Sequence, residues 1–346
     1  MQPTLIIGLG GTGAHVVSSI LARLQENPPA AEMVGGMLQC LYIDADTHIA
    51  DNLKLPEQCK QTIGFFALPY IEQACQQDEN LKKWFDCQIV RRAPFMPEQF
   101  DLTRSTAMYR QFGRLSLYHD LSGEILEGHS RVKASIQHSL LSIQQNNPNT
   151  PLIIICTSLI GGTGGAIALD VAYLVRHILA TVRMNPYDGH ILGAFALGNV
   201  FASALSSAPE EQHIKFILNE VAAIKEIQHF ARTRYEFGPQ GHVITFDSLE
   251  PFNSYWLFGG DRIGRFEGKW PTDYFSLIAT EISDTVVTGD WIMRPKGFEY
   301  VNIQAPLTTN VIGDWSYWED VYNRHSKDPN RLSPHISREF EKQAAG

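Results

Sequence analysis

The sequence predicts an α/β fold, a doubly wound and mainly parallel sheet with helices on both faces. Three observations predict it. Short apolar runs rich in β-branched residues alternate with longer stretches of helical periodicity along the 346 residues. Two of those runs pass straight into glycine clusters that open a helix, Gly10-Gly11-Thr12-Gly13 and Gly161-Gly162-Thr163-Gly164-Gly165. Hydrophobic residues make up 44% of the chain against 19% charged, which supports a sizeable core and excludes a disordered chain.

The first run, Thr4 to Gly10, reads as a buried strand, and Val16, Val17, Ile20, Leu21 and Leu24 give the helix after it one apolar side. Gly8, Gly10 and Gly13 satisfy G-x-G-x-x-G, so a dinucleotide-binding domain competes for this region. Leu38 to Ile43 is the next strand and ends in Asp44-Ala45-Asp46. Carboxylates at a strand end can hold Mg²⁺ through water or contact a ribose; equally, Asp46 or Thr47 can cap a short helix. The acids come about 30 residues after Gly13 rather than the about 20 of the dinucleotide fingerprint, which weakens that reading.

Ile63 to Leu68 is expected as a strand and Pro69 to Phe85 as a helix anchored by Ile71, Leu81 and Trp84. Arg91-Arg92 reads as a solvated pair. Arg104, Arg110 and Arg114 cluster around Gly113. The first two are expected on a wet helix face; Arg114 is either there or turned toward a phosphate. Ile125, Leu126, Val132, Ile136, Leu140 and Ile143 predict one long helix from Ser122 to Gln145.

Leu152 to Cys156 has the length and branching of a strand buried on both faces. It feeds the second glycine cluster, and a helix follows to about Val182. Unpaired N–H groups at such a helix start, and glycines that let backbone approach closely, suit an anion; Thr163 adds a hydroxyl. The competing reading is a tight turn with small residues for packing, which four glycines in five positions disfavour. Beyond it, a strand is expected at His190 to Leu197, a helix at Glu210 to Thr233, and short strands at Val243 to Phe246 and Tyr255 to Phe258. A buried helix is expected at Asp273 to Val287 and a last strand at Phe298 to Ile303.

Net charge is −9 and no basic run stands out, which argues against a nucleic-acid surface. No signal peptide opens the chain and no unbroken apolar run reaches the ~18 residues of a spanning helix, so no membrane partner is expected. The five cysteines show no CxxC pair and fit reduced thiols in a cytoplasm. A direct protein cage for a metal is not expected.

Two glycine turns, one after the first strand and one mid-chain, resemble those of the tubulin/FtsZ family. The mid-chain Gly161-Gly162-Thr163-Gly164 keeps the family's Gly-Gly-Thr-Gly, with Gly165 where the family has a small hydroxylated residue. Gly10 to Gly13 is similar to the family's first nucleotide loop, Asp44-Ala45-Asp46 to its second, and the Gly113-Arg114 neighbourhood to its third. Pro271 to Phe275, followed by Ser276 to Thr288, looks like the opening of its long central helix. The resemblance implies GTP/GDP and Mg²⁺ as ligands, a possible GTPase, and head-to-tail homo-oligomers or filaments whose subunits complete each other's site. It implies base contacts at Asp261, Tyr274 and Phe275. It divides the chain into a nucleotide-binding domain, 1–290, and a short extension, 291–346, that stands for a reduced or truncated second domain. Asp290 and Glu299 are the acids of the region where the family carries its water-activating carboxylate, and their spacing departs from the family pattern. The alternatives are a non-polymerising GTP sensor and an NAD-linked oxidoreductase.

Overall fold

Apolar runs become strands because their backbone groups pair with neighbours while both side-chain faces leave water. The computed structural model describes residues 2–27, 35–89, 100–104, 106, 108–126, 130–183, 185–201, 210–258, 272–288 and 300–304. In chain order the elements are β1 (Thr4–Leu9), α1 (Gly10–Glu26), β2 (Leu38–Asp44), α2 (Thr47–Asn52), β3 (Lys60–Thr62), α3 (Ala67–Gln77), α4 (Glu79–Lys82), α5 (Arg110–Leu126) and α6 (Arg131–Asn146). Then follow β4 (Leu152–Ser158), α7 (Gly164–Val182), β5 (His190–Ala196), α8 (Glu210–Phe230), β6 (Arg234–Phe237), β7 (Ile244–Asp247), β8 (Ser254–Phe258), α9 (Thr272–Thr288) and β9 (Tyr300–Gln304).

The main sheet has seven strands in the order β3-β2-β1-β4-β5-β8-β9. All neighbours are parallel except β8 and β9, and β6 and β7 form a separate antiparallel hairpin. The doubly wound α/β expectation holds. β1 lies between β2 and β4, with Ile6 opposite Cys40 on one side and Ile154 on the other. Every residue of β1 and β4 is buried.

Side-chain alternation divides the core into two layers. Leu5, Ile7, Leu9, Ile153 and Ile155 point to the layer covered by α5, α6, α7 and α8. Ile6, Ile154, Cys156, Leu192 and Trp256 point to the layer covered by α1 and α9. Each such aliphatic chain contributes about 1.5–3 kcal/mol on full burial. α7 is long and apolar enough to cross a membrane by length and composition, although its apolar residues form no unbroken run; 78% of that stretch is buried inside the protein, which accounts for its apolarity.

Several boundaries differ from the sequence reading. The strand expected at 63–68 is β3, three residues earlier, and Ile63 already enters the core with its N–H on the Asp44 carbonyl at 2.9 Å. The helix expected over 69–85 breaks at Asp78, whose carboxylate accepts from the N–H groups of Asn80 and Leu81 and so caps α4. The long helix expected from Ser122 is two, because Ser130 caps α6 by accepting from Lys133 N at 3.2 Å, and Asp120 accepts from Ser130 Oγ at 2.5 Å and Val132 N at 3.1 Å. β6 had not been expected. A disulfide joins Cys75 to Cys87, against the expectation that all five thiols are reduced; Cys40, Cys59 and Cys156 are free and buried. Residues 300–304, expected in the extension, add an edge strand to the main sheet. Arg91 and Arg92, the acids Asp290 and Glu299, and most of the extension lie outside the described residues.

Candidate functional site

Because β1 and β4 are parallel neighbours, the turns after them emerge side by side at the C-terminal edge of the sheet, where open α/β sheets bind ligands. The turns touch. Gly10 has φ +66, and a Cβ on it would stand 2.9 Å from the Gly164 backbone N. Thr157 Oγ1 donates to the Leu9 carbonyl at 2.9 Å and ties the two strand ends together. Gly162 faces the backbone of Met108, 2.6 Å from where its Cβ would be.

Between the turns lies a cleft of ≈ 140 Å³. Gly10, Gly11 and Thr12 form one side and Gly161 to Gly164 the other. Thr106, Thr157, Ser158 and Thr163 bring hydroxyls, and the Thr106 and Thr163 hydroxyls are 3.4 Å apart. The charged residues of the lining are Asp44 and Asp46, both acids. Gly13 and Gly165, grouped with the anion contacts by sequence, sit behind the lining. A Cβ on Gly13 would strike the backbone of Gly8, and one on Gly165 would lie 2.5 Å from the Leu159 carbonyl, so these two glycines serve close packing.

Asp44 is 3% exposed. It accepts from Tyr42 Oη at 2.8 Å and from Ala45 N at 2.7 Å, with the Thr163 hydroxyl as a further partner. Burial outweighs these bonds and pushes its pKa up to about 6. Asp46 does cap a helix, accepting from His48 N at 2.8 Å, and it borders the cleft as well. The two readings of this residue are compatible.

Arg114 is elsewhere. Its guanidinium makes a bidentate pair with Asp170, both bonds 2.9 Å, between the rings of Trp84 and Phe237. Tyr235 Oη donates to the same carboxylate at 2.6 Å. The phosphate contact considered for Arg114 is corrected: its partner is a buried carboxylate of α7. Arg110, expected on a wet face, is also buried, pairs with Glu226 and donates to the Gly165 carbonyl at 2.7 Å. Arg104 is exposed and pairs with Asp101 at 3.3 Å.

Sequence reasoning missed a clamp from α8. Asn219 Nδ2 donates to the Ile160 carbonyl at 2.8 Å and to the Met108 carbonyl at 3.0 Å, joining the glycine turn to the loop across from it. Met108 has φ +65, a strained value for a residue with a side chain, which that bond helps to hold. Beside it, Glu220 accepts from Gly198 N at 2.9 Å, and burial raises its pKa to about 7. The polar pair Asn219-Glu220 inside an otherwise amphipathic helix was the available signal.

Tyr274 and Phe275 open α9 and are each 3% exposed. Phe275 stacks on His15 at 5.3 Å between centroids and lies near Phe201, so it packs in the core. Neither residue borders the cleft. Asp261 lies outside the described residues.

Comparison with known families finds one model, described as "Tubulin like", matching residues 5–316. No curated protein matches. Among solved structures, the chain is similar to CetZ from Methanosaeta thermophila, with 11% identity and a TM-score of 0.46 over 92% of this chain and 59% of that one. The GDP-bound monomer of CetZ1 from Haloferax volcanii gives 13% identity and 0.44 over 82% and 58%. TubZ of Clostridium botulinum phage c-st gives 12% and 0.39 over 83% and 60%. The chain thus spans about three fifths of the length of these structures.

Proposed function

The chain belongs to the tubulin-like family, and from that premise we propose that it binds a guanine nucleotide, with the phosphates lying between Gly10-Gly11-Thr12 and Gly161 to Gly164. The observation that carries this reading is the meeting of two strand–glycine–helix turns in one cleft. One such turn is enough for a dinucleotide fold; two converging turns offer N–H donors and two helix starts to a longer chain of phosphates. Among the described residues the lining has hydroxyls and two acids and no Lys or Arg, a donor set that suits a phosphate chain accompanied by a divalent cation. Asp44 and Asp46 would hold Mg²⁺, and when bound it would offset the charge of phosphates and carboxylates together.

Base selection falls to Asp261 and Tyr274, a proposal that rests on their place between β8 and the start of α9. Hydrolysis is weak or depends on assembly, because Asp290 and Glu299, the acids of the region where the family carries its water-activating carboxylate, depart from the family spacing. Head-to-tail filaments in a cytoplasm complete the reading; in that compartment the Cys75–Cys87 bridge would be open. A GTP sensor that does not polymerise is the alternative.

Equilibrium binding of GTP, ATP, NAD and NADP tests the core of this. Tight NAD binding without GTP binding would refute it. Gly162→Val, whose side chain would meet Met108 and Thr106, should abolish binding. Light scattering with GTP, with GDP and without nucleotide separates filament from sensor, and turnover that is fast in dilute monomer would rule out assembly-dependent hydrolysis.

A further inference from the structure

α8 buries two polar neighbours, Asn219 and Glu220. Asn219 donates to the Ile160 and Met108 carbonyls. Glu220 reaches a different segment. One of its oxygens accepts from Gly198 N at 2.9 Å, at the start of the turn that follows β5, Gly198–Phe201. A Cβ on Gly198 would strike that oxygen and stand 3.1 Å from Ile160 Cγ2, so Gly198 is packed between Glu220 and Ile160. Ile160 lies in sequence between Ser158 and Gly161, which both line the phosphate cleft. Leu159 N donates to the Ala196 carbonyl at 3.2 Å, a further tie between the ends of β4 and β5. Contact therefore runs from the cleft through Ile160 and Gly198 to Glu220. Stability does not account for this carboxyl. Burial raises its pKa from 4.5 to about 7. A carboxyl raised in the fold costs stability above its ordinary value, and the cost grows until the raised value is passed. A neutral side chain avoids that cost.

We propose that Glu220 is a positioning residue for the phosphate cleft: by holding Gly198 it keeps the turn after β5 against Ile160 and so fixes the backbone N–H groups of Gly161 to Gly164 for an anion. The role presupposes a phosphate ligand in the cleft and so rests on the nucleotide reading. Glu220 does not touch that ligand; it acts through Gly198 and Ile160. The coupling works in both directions, because a phosphate chain that orders the glycine turn also orders the segment packed on it.

Calorimetry with GTP and amide hydrogen exchange, both on the full chain, test it. Glu220→Ala removes the acceptor and should weaken GTP binding about five- to tenfold. Glu220→Gln keeps a carbonyl oxygen for Gly198 N and resembles the neutral acid, so it should bind within about twofold of the parent. Gly198→Ala displaces the Glu220 oxygen and should weaken binding as Glu220→Ala does; the two changes together should cost no more than one alone. Without ligand, exchange at Gly198 and across Leu159 to Gly165 should be faster in Glu220→Ala than in the parent, and GTP should slow both segments in the parent. Thermal unfolding checks that each variant is folded. A parent that binds no GTP overturns the nucleotide reading and this role with it. A parent that binds GTP while Glu220→Ala binds it equally well overturns this role alone. The role is also overturned if Glu220→Gln loses as much affinity as Glu220→Ala, if the costs of Gly198→Ala and Glu220→Ala add, or if Glu220→Ala leaves exchange across Leu159 to Gly165 unchanged.

Discussion

Replacing Asp44 with Asn should make the ligand-free protein more stable, by an amount that depends on pH. Asp44 is buried, and its pKa rises from an ordinary 3.8 to about 6. A carboxyl whose folded-state pKa lies above its unfolded value favours the fold when protonated and costs stability once ionised. The cost is absent below pH 3.8, grows between 3.8 and about 6, and is complete above that range. At about 1.36 kcal/mol per pH unit, it reaches about 3 kcal/mol at pH 8 and about 1 kcal/mol at pH 4.5. An amide carries no charge at any of these values. Its oxygen can still accept from Ala45 N, and its NH₂ can donate to the Tyr42 or Thr163 hydroxyl, each of which can turn to accept. Urea unfolding of parent and Asp44→Asn, without nucleotide and with EDTA, should therefore show a gain of up to about 3 kcal/mol at pH 8 that shrinks toward pH 4.5. The same variant should lose Mg²⁺-dependent GTP affinity. A gain independent of pH, or a loss of stability at pH 8, would refute the reasoning, because the burial cost of the carboxylate would then not be the governing quantity.

Asn219→Ala removes both bonds that join the glycine turn to the Met108 loop, so a stability loss of about 1–3 kcal/mol and weaker nucleotide binding are expected, read by urea unfolding and calorimetry. Arg114→Leu leaves the buried Asp170 without its charged partner, with only the Tyr235 hydroxyl still donating to it, and should cost about 3–5 kcal/mol, with nucleotide affinity retained in the fraction that remains folded. Cys75→Ser should lower the stability of the oxidised protein by about 2–3 kcal/mol and leave the reduced protein almost unchanged, as the bridge closes a short loop and acts mainly on the unfolded chain.

The sheet and the cleft were legible for a local reason. β1 and β4 are mainly apolar runs that end within a few residues of a glycine cluster, so element type and burial on both faces follow from neighbouring residues. The break between α5 and α6 was harder to see, because Leu121, Ile125, Leu126 and Val132 keep a helical spacing across it; Ser130 as a cap was the missed sign. Arg114 shows a different gap. Its place near the cleft was inferred from the chain, but the direction of its side chain is set by Asp170, Trp84 and Phe237, which are remote in sequence. The Asn219 clamp depends likewise on where distant segments land. Gly13 and Gly165 belong to glycine clusters whose members divide the work: some line the cleft, and others allow backbone to meet backbone.

The interior position of β1 bears on how the protein is made. Leu9 and Thr157, bonded at the strand ends, are 148 residues apart in the chain. At a synthesis rate of about 5–20 residues per second, some 7–30 s pass between their emergence from the ribosome. During that interval β1 can pair with β2 along one edge, while its other edge, on a buried and mainly apolar strand, stays open to wrong partners. Nascent chains that stop before β4 should therefore aggregate or recruit chaperones, whereas chains that have released α7 should not, since β4 then closes the edge and α7 covers one face of the sheet.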